Sequence, residues 1–316
     1  MSSLLFERLK TERGEWPSLL KRDIFPENVR EQCWQLWTTS IQSYIEEASN
    51  SIVTQIRHAI GVRQLNANGN RGDIYGSQYY PSNELRTFLL KGMPDAKAQQ
   101  NVEYMLSALE MMCQVLKEGY ARNIPWTVEQ INYRLRLGGV GYKFAGGMLI
   151  PVDDENLTNS AVIPLVSLLN QPEFLPAYKY LAQSFNDYKS SAPKALESAI
   201  DNAQKAVETL LKIIFDASEI TYGKADTYMP LMQKAKENGL FPHVSDDKLN
   251  PLMNNLKSLG EIRNRGGGHG SPEEKRATDK LVRLAIHHAA ANMLYVAETY
   301  LEQKSDSGQS VKAQSA

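Results

Sequence analysis

Cysteine is scarce in this chain, with Cys33 and Cys113 the only two among 316 residues. Two cysteines so far apart provide neither the disulfide framework of a small secreted domain nor the ligand set of a metal site. Both lie within apolar patterns of helical spacing, which favours buried free thiols in a reducing compartment. The composition therefore excludes a scaffold held together by disulfides.

Long hydrophobic runs and a surplus of one charge are missing as well. No uninterrupted apolar stretch approaches the roughly 20 residues that a membrane helix requires, and Glu7 comes too early for a secretory signal. The 35 basic and 36 acidic residues leave a net charge of −1, which excludes a strongly basic nucleic-acid binder. We expect a soluble, cytoplasmic protein with no membrane partner, in which any RNA contact comes from a local patch.

Helical periodicity is what the sequence has in abundance. Apolar residues recur at steps of three and four over residues 27–49 and 96–118, as they do in amphipathic helices. The stretch from 66 to 80, which is rich in Gly and Asn, indicates a loop between them. These patterns predict a mainly α-helical fold.

One part of the N-terminal half has a different pattern. After a helical stretch over residues 127–137, two short apolar runs flank Gly146-Gly147, which predicts a β-hairpin. Together the helix and hairpin have the outline of a winged-helix motif. The basic residues of this unit are Arg134, Arg136 and Lys143. It is either a small packing element with solvated arginines or a sensor that binds nucleic acid or a ligand.

The C-terminal part of the chain predicts four helices. They cover residues 193–217, 228–238, about 246–262 and about 273–303. Two long and two shorter helices suit an antiparallel four-helix bundle. We therefore expect an N-terminal regulatory domain over residues 1–155, linking helices over 156–190, the bundle over 191–304 and a polar, disordered tail over 305–316.

The third bundle helix ends in an unusual segment, Arg263-Asn264-Arg265-Gly266-Gly267-Gly268-His269. Three consecutive glycines end a helix and let the backbone approach itself or a ligand closely. Because Pro272 suits the first turn of the next helix, Arg263 and His269 flank a tight connection and can point into the same space. The alternative is an ordinary turn with solvated polar residues.

An arginine beside a histidine suits phosphodiester chemistry. The guanidinium is always charged and donates to two phosphate oxygens at once, while an imidazole transfers protons near neutral pH. RNA supplies its own nucleophile in the 2′-hydroxyl, so no metal or other cofactor is needed. The hypothesis is that His269 moves a proton at the 2′-oxygen or the leaving 5′-oxygen. Arg263 would stabilise charge on the pentacoordinate phosphorus. The expected product of the cleavage is a cyclic 2′,3′-phosphate.

The bundle resembles a HEPN domain of the abortive-infection C-terminal type over about residues 190–303. The resemblance rests on Ala199-x-x-x-Ala203-x-x-Ala206-x-Glu208-x-x-x-Lys212, on Arg263-Asn264-x-x-x-x-His269-Gly270 and on the alanine-rich last helix. One departure is the glycine run, where family members often carry a charged or apolar residue. The first half similarly resembles the N-terminal domain of AbiJ-like phage-defence proteins, through Leu5-Phe6-Glu7-Arg8 and the helix and hairpin from Ile131 to Ile150.

The resemblance implies a metal-independent endoribonuclease that works as a homodimer, with two Arg/His motifs facing each other across one composite cleft. It assigns catalytic roles to Arg263, Asn264 and His269, and RNA-binding or supporting roles to Arg265, Glu208 and Lys212. For Glu208 and Lys212 the alternative is a helix-stabilising ion pair at i,i+4 spacing.

The same resemblance implies a toxin-like effector of antiviral abortive infection that cleaves cellular RNA such as tRNA. Its partners would be the RNA substrate, a second copy of the chain and a phage trigger or an antitoxin. Two other readings remain open. The chain could be a non-catalytic HEPN module for dimerisation or RNA binding, or a regulator whose helix and hairpin bind nucleic acid.

Overall fold

The computed structural model describes residues 13, 20–65, 79–116, 123–189, 192–240 and 277–314. The chain divides into two compact units, Met1–Val152 and Asp153–Ala316. The predicted mainly α-helical fold is confirmed, with one small antiparallel sheet among the described residues. None of the helices in these ranges is both long and apolar enough to cross a membrane.

The first unit consists of helices followed by a hairpin. Its elements are α1 (Glu27–Ile41), α2 (Ile45–Ile60), α3 (Pro81–Lys91), α4 (Ala98–Val115), α5 (Ile124–Leu137), β1 (Tyr142–Ala145) and β2 (Met148–Pro151). Helix α5 begins one turn before its predicted start, because Pro125 already fits the first turn. Thr127 is consequently buried inside the helix, where its hydroxyl lies 2.6 Å from that of Ser40.

The core of the first unit forms around α1. Cys33, Trp37 and Ile41 lie at helical spacing and are buried, as an amphipathic stripe requires. The indole nitrogen of Trp37 donates to the Met112 carbonyl at 2.8 Å, which satisfies the polar atom of this fully buried ring. Both cysteines are buried free thiols, as predicted. Burial raises the pKa of Cys33 to about 12 and also raises the pKa of Cys113.

The predicted hairpin is present, and it is tightly packed. β1 and β2 pair antiparallel, and every residue of β2 is buried. The side-chain amide of Asn132 bonds both backbone groups of Phe144, at 2.7 and 2.9 Å. Glu110 accepts from the Leu149 amide at 2.6 Å. These backbone N–H and C=O groups, which a wing would offer to a partner, are already hydrogen-bonded within the unit. The contacts therefore favour a packing element over a free wing.

The second unit begins with three helices that lead into the predicted bundle. These are α6 (Glu155–Leu157), α7 (Ile163–Leu169) and α8 (Leu175–Lys189). A π-helical turn over Thr158–Val162 joins α6 to α7. Pro164 follows this turn and has no N–H with which to continue an α-helical ladder, which favours the wider turn.

Two of the predicted bundle helices lie where the sequence places them. α9 covers Pro193–Ala217, and α10 covers Tyr228–Glu237. Gly239 ends α10 in the left-handed region, with φ of 71°, a conformation that glycine adopts without strain. α8 packs along α9, and the Ser184 hydroxyl donates to the Ala199 carbonyl at 2.7 Å. α8 is thus an integral part of the second unit's core.

The last helix, α11, covers Asp279–Gln314. The helix thus continues as far as Gln314, into the stretch for which a disordered tail was predicted from residue 305. The stretch contains no proline, and extending an existing helix is far easier than nucleating a new one. Lys304 lies 3.6 Å from Glu173 and above the Tyr300 ring, so α11 is still packed where the extension begins.

A buried carboxylate joins three elements of the first unit. Glu84 is 7% exposed and accepts from the Arg57 guanidinium, the Leu65 amide at 2.8 Å and the Tyr79 hydroxyl at 2.7 Å. Burial alone would raise the pKa of Glu84, but these hydrogen bonds outweigh it and hold the pKa below its ordinary value. Leu65 and Tyr79 border residues 66–78, so one side chain fixes both ends of that connection.

Replacing this carboxylate tests its contribution to stability. We expect Glu84→Gln to lower the free energy of unfolding by about 2–4 kcal/mol at neutral pH, because buried donors lose a charged acceptor. All four tryptophans precede residue 153, so tryptophan fluorescence during urea unfolding reports on the first unit.

The pH dependence of this loss has a defined sign. Since the folded pKa of Glu84 is depressed, its stabilisation is complete above the unfolded value of about 4.3 and is lost as the pH falls through the folded value. The difference between wild type and Glu84→Gln should therefore shrink in acid. The exposed Glu103→Gln serves as control, and an equal loss in both variants would contradict the assignment.

Candidate functional site

The central residues of the predicted site lie outside the described residues. Arg263, Asn264, Arg265 and His269 belong to residues 241–276, as does the predicted third bundle helix. Their catalytic roles stay predictions. What the structure provides is the framework on either side of this segment.

The two borders of the segment lie at opposite ends of the packed part of α11. At one border, the Gly239 carbonyl accepts from the Gln303 side chain at 3.3 Å, and Leu240 is buried. At the other border, Asp279 begins α11. With a rise of 1.5 Å per residue, the helix between these points is about 36 Å long. Residues 241–276 must therefore connect points separated by about that distance.

Polar side chains gather where α11 begins. The hydroxyl of Tyr188, on α8, donates to Asp153 at 2.7 Å and lies 3.3 Å from a carboxylate oxygen of Asp279. Burial lowers the pKa of His287 in spite of the nearby carboxylates of Asp153 and Asp154, which act in the opposite direction. The start of α11, ten residues after His269 in the sequence, is thus held by a buried tyrosine. No sequence signal singled out Tyr188.

Glu208 holds the start of α10. Its Oε1 accepts from the Tyr228 amide at 3.0 Å and from the Gln204 side chain at 3.0 Å. Tyr228 is the first residue of α10, so its amide has no partner within the helix. A carboxylate at that position also interacts favourably with the helix dipole.

Lys212 holds the connection between α9 and α10 at another point. Its ammonium donates to the Lys224 carbonyl at 3.3 Å, and Lys234 of α10 bonds Asp226 at 3.2 Å in the same connection. Among the described residues, Glu208 and Lys212 form no ion pair with each other, so that alternative is wrong. Instead, both residues bond the chain that follows α9. Glu208 bonds the first residue of α10, and Lys212 bonds the connection before it.

A small groove opens beside this anchor. It has a volume of about 270 Å³, including space open to solvent, and it lies between α9, α10 and α11. Its lining consists of Ile200, Ala203, Gln204, Val207, Tyr228, Ala285 and Ala289. The Tyr228 hydroxyl is buried here and has no hydrogen-bond partner in the described structure, and burial raises the pKa of Tyr228. Sequence reasoning missed this tyrosine because its burial depends on three helices.

The basic residues of the hairpin unit do not form an open cationic face. The Arg134 guanidinium lies over the Tyr133 ring at 5.3 Å, and it is close enough to influence the buried Cys33. Lys143 is half-buried, while Arg136 is exposed. This arrangement gives little support to the nucleic-acid sensor.

Among the described residues, no group of three His, Cys, Asp or Glu residues could hold a metal ion. The absence of a cofactor remains a prediction, since residues 241–276 are not among them.

One family model matches this part of the chain. It is Abi_C, described as a HEPN-like domain, and it covers residues 176–300. Residues 176–300 are therefore similar to a HEPN-like domain. The match begins within α8, in the stretch predicted as linking helices, and it includes the positions of Arg263 and His269. Searches of curated proteins and of solved structures found no match.

The anchor of α10 in the second unit can be tested at Glu208. We expect Glu208→Ala to lower the stability of this unit by about 1–2 kcal/mol, because the Tyr228 amide loses its acceptor. Glu208→Gln keeps an acceptor and should lose less. Hydrogen exchange of the Tyr228 amide measures the effect directly. The exposed Glu197→Ala, on the same helix, is the control; unchanged exchange in Glu208→Ala would refute the anchor.

Proposed function

We propose that this chain is a metal-independent endoribonuclease effector of antiviral abortive infection. The observation that carries the proposal is the HEPN-like match over residues 176–300, which spans an intact Arg263 and His269. HEPN-like domains are typically ribonucleases. The match therefore gives these two residues a chemical context that their spacing alone did not.

The proposed fold of the domain is an antiparallel four-helix bundle. α9, α10 and α11 would supply three of its helices, and the amphipathic stretch over residues 246–262 would supply the fourth. The described borders of residues 241–276 support this arrangement, because Gly239 contacts Gln303 near one end of the packed part of α11 and the segment rejoins α11 at its start. The groove beside Tyr228, lined mainly by aliphatic side chains, lies among the same three helices.

The proposed chemistry needs only protein groups and the RNA itself. His269 would transfer the proton at the 2′-oxygen or at the leaving 5′-oxygen. Arg263 would hold two oxygens of the phosphate while charge develops on it. Asn264 would belong to the same catalytic set, Arg265 would help to bind the RNA, and the product would carry a cyclic 2′,3′-phosphate.

The composite cleft of two copies is part of the proposal. Each copy would contribute one Arg/His pair, so that one pair can act in proton transfer while the other binds phosphate. The first unit would gate the activity in response to a phage component or an antitoxin. A non-catalytic HEPN module is the main alternative, and the following experiment separates the two.

We expect the purified wild-type chain to cleave RNA in the presence of EDTA and to leave cyclic 2′,3′-phosphate ends. His269→Ala and Arg263→Ala should each lower the cleavage rate by roughly 10²- to 10⁴-fold, the usual effect of losing an acid–base group or a charge-stabilising donor. A substrate with 2′-O-methyl groups should resist cleavage because its nucleophile is blocked. Expression in bacteria should arrest growth for the wild type only.

The exposed His58→Ala, in the first unit, is the matched control and should behave like the wild type. Arg263→Lys keeps the charge but loses the bidentate geometry, so an intermediate rate would support the assigned role. The opposite outcome is that the wild type and its Arg263 and His269 variants bind RNA equally well and leave RNA integrity and growth the same under triggering conditions. That result would show that the chain is a non-catalytic HEPN module.

A further inference from the structure

The chain passes from the first unit to the second without a loose linker. Val152, the last residue of the first unit, donates its N–H to the Gly141 carbonyl at 2.9 Å. Asp153, the first residue of the second unit, accepts from the Tyr188 hydroxyl at 2.7 Å. Consecutive residues are therefore bonded within different units, so a displacement of Val152 is passed on directly to Asp153.

The Tyr188 hydroxyl also faces a second carboxylate. An oxygen of Asp279, the first residue of α11, lies 3.3 Å from it. A phenol has one proton to donate, whereas a carboxylate accepts. Tyr188 is only 3% exposed, and a buried hydroxyl is costly to leave without an acceptor. The proton therefore goes to one carboxylate at a time, and in the structure the shorter distance is to Asp153.

We propose that Tyr188 is a positioning residue whose single proton couples the junction of the two units to the start of α11. While Asp153 stays close, it takes the proton. When Asp153 is withdrawn, the buried hydroxyl donates to Asp279 and holds the first turn of α11 more firmly. An element with two discrete arrangements, each favoured by a different partner, is what energetic coupling between separate places requires.

The start of α11 is the place where residues 241–276 rejoin the described chain. This segment carries Arg263 and His269, and Asp279 follows His269 by ten residues. The coupling itself rests on described contacts alone. Its interpretation as the means by which the first unit regulates the nuclease rests on the proposed function.

Hydrogen exchange at the first turn of α11 provides the measurement. The amides of Leu281 and Val282 donate to the Thr278 carbonyl at 2.9 and 3.0 Å. Their exchange rates in the full chain report how often this turn opens.

A double-mutant cycle on Tyr188 and Asp153 tests the coupling. Tyr188→Phe should speed the exchange at Leu281 and Val282 by at least about threefold, because Asp279 loses its donor. Asp153→Ala should instead slow this exchange, because the proton then goes to Asp279. In the Tyr188→Phe background, Asp153→Ala should have no effect. A purely structural role for Asp153 predicts faster exchange in both backgrounds.

Two controls separate this coupling from other effects. Asp154→Ser removes the neighbouring charge but keeps a cap for the Leu157 amide, which donates to Asp154 at 2.9 Å. It should not slow the exchange at the start of α11. The Leu231 amide of α10, which donates to the Thr227 carbonyl at 3.1 Å, shows whether a variant changes the stability of the whole unit.

Three results would overturn the proposal. They are faster exchange at Leu281 and Val282 in Asp153→Ala, an effect of Asp153→Ala that persists in the Tyr188→Phe background, and a change of equal size at Leu231. Each would mean that the Tyr188 proton does not pass between the two carboxylates.

The coupling and the nuclease activity fail separately. The exchange is measured without RNA, so a chain that shows the expected cycle but never cleaves RNA would overturn only the nuclease. In a cleaving enzyme, Asp153→Ala should change the cleavage rate in the wild-type background and not in the Tyr188→Phe background. An equal change in both would overturn the regulatory role of Tyr188 and leave the nuclease standing.

Discussion

Helix α9 lies at the centre of the second unit, and small side chains set how closely its neighbours approach it. Ala199, Ala203 and Ala206 are buried on α9, which packs against α8, α10 and α11. The buried residues Ala285 and Ala289 of α11 line the groove between α9, α10 and α11, together with Ala203. Since interiors are close-packed, larger side chains at these positions would push the helices apart. Such a separation would also break the hydrogen bond from the Ser184 hydroxyl to the Ala199 carbonyl.

Two carboxylates accept hydrogen bonds from backbone amides near helix ends, and these bonds add to the stability that apolar packing provides. Glu84 fixes both borders of residues 66–78, and Glu208 holds the first amide of α10. In each case a side chain satisfies a backbone donor that the element itself leaves unpaired. Glu208 belongs to the pattern that suggested a HEPN domain, yet its observed contacts are structural. A residue can therefore belong to a family's sequence pattern because the fold needs it.

The candidate site illustrates how far pattern reasoning extends. Arg263 and His269 could be selected from sequence because arginine and histidine around a glycine run have a chemical meaning without any coordinates. Tyr188, Gln204 and Tyr228 could not, because their significance comes from contacts with residues far away in the sequence. Tyr188 joins α8 to the start of α11, and Tyr228 lies on the floor of a groove between three helices. No local period distinguishes them from ordinary core tyrosines.

The sequence by itself determined the helical class, the hairpin, the bounds of α9 and α10, and the burial of both cysteines. Each of these depends on local periodicity, on proline at a helix start or on glycine at a helix end. Only the tertiary structure decided that the hairpin is packed on both sides, that α8 is part of the second unit's core and that Glu208 bonds α10 and not Lys212. The physical reason is that these contacts join atoms that are distant in sequence. Several partners would be chemically equivalent, and only the packing brings one of them within reach.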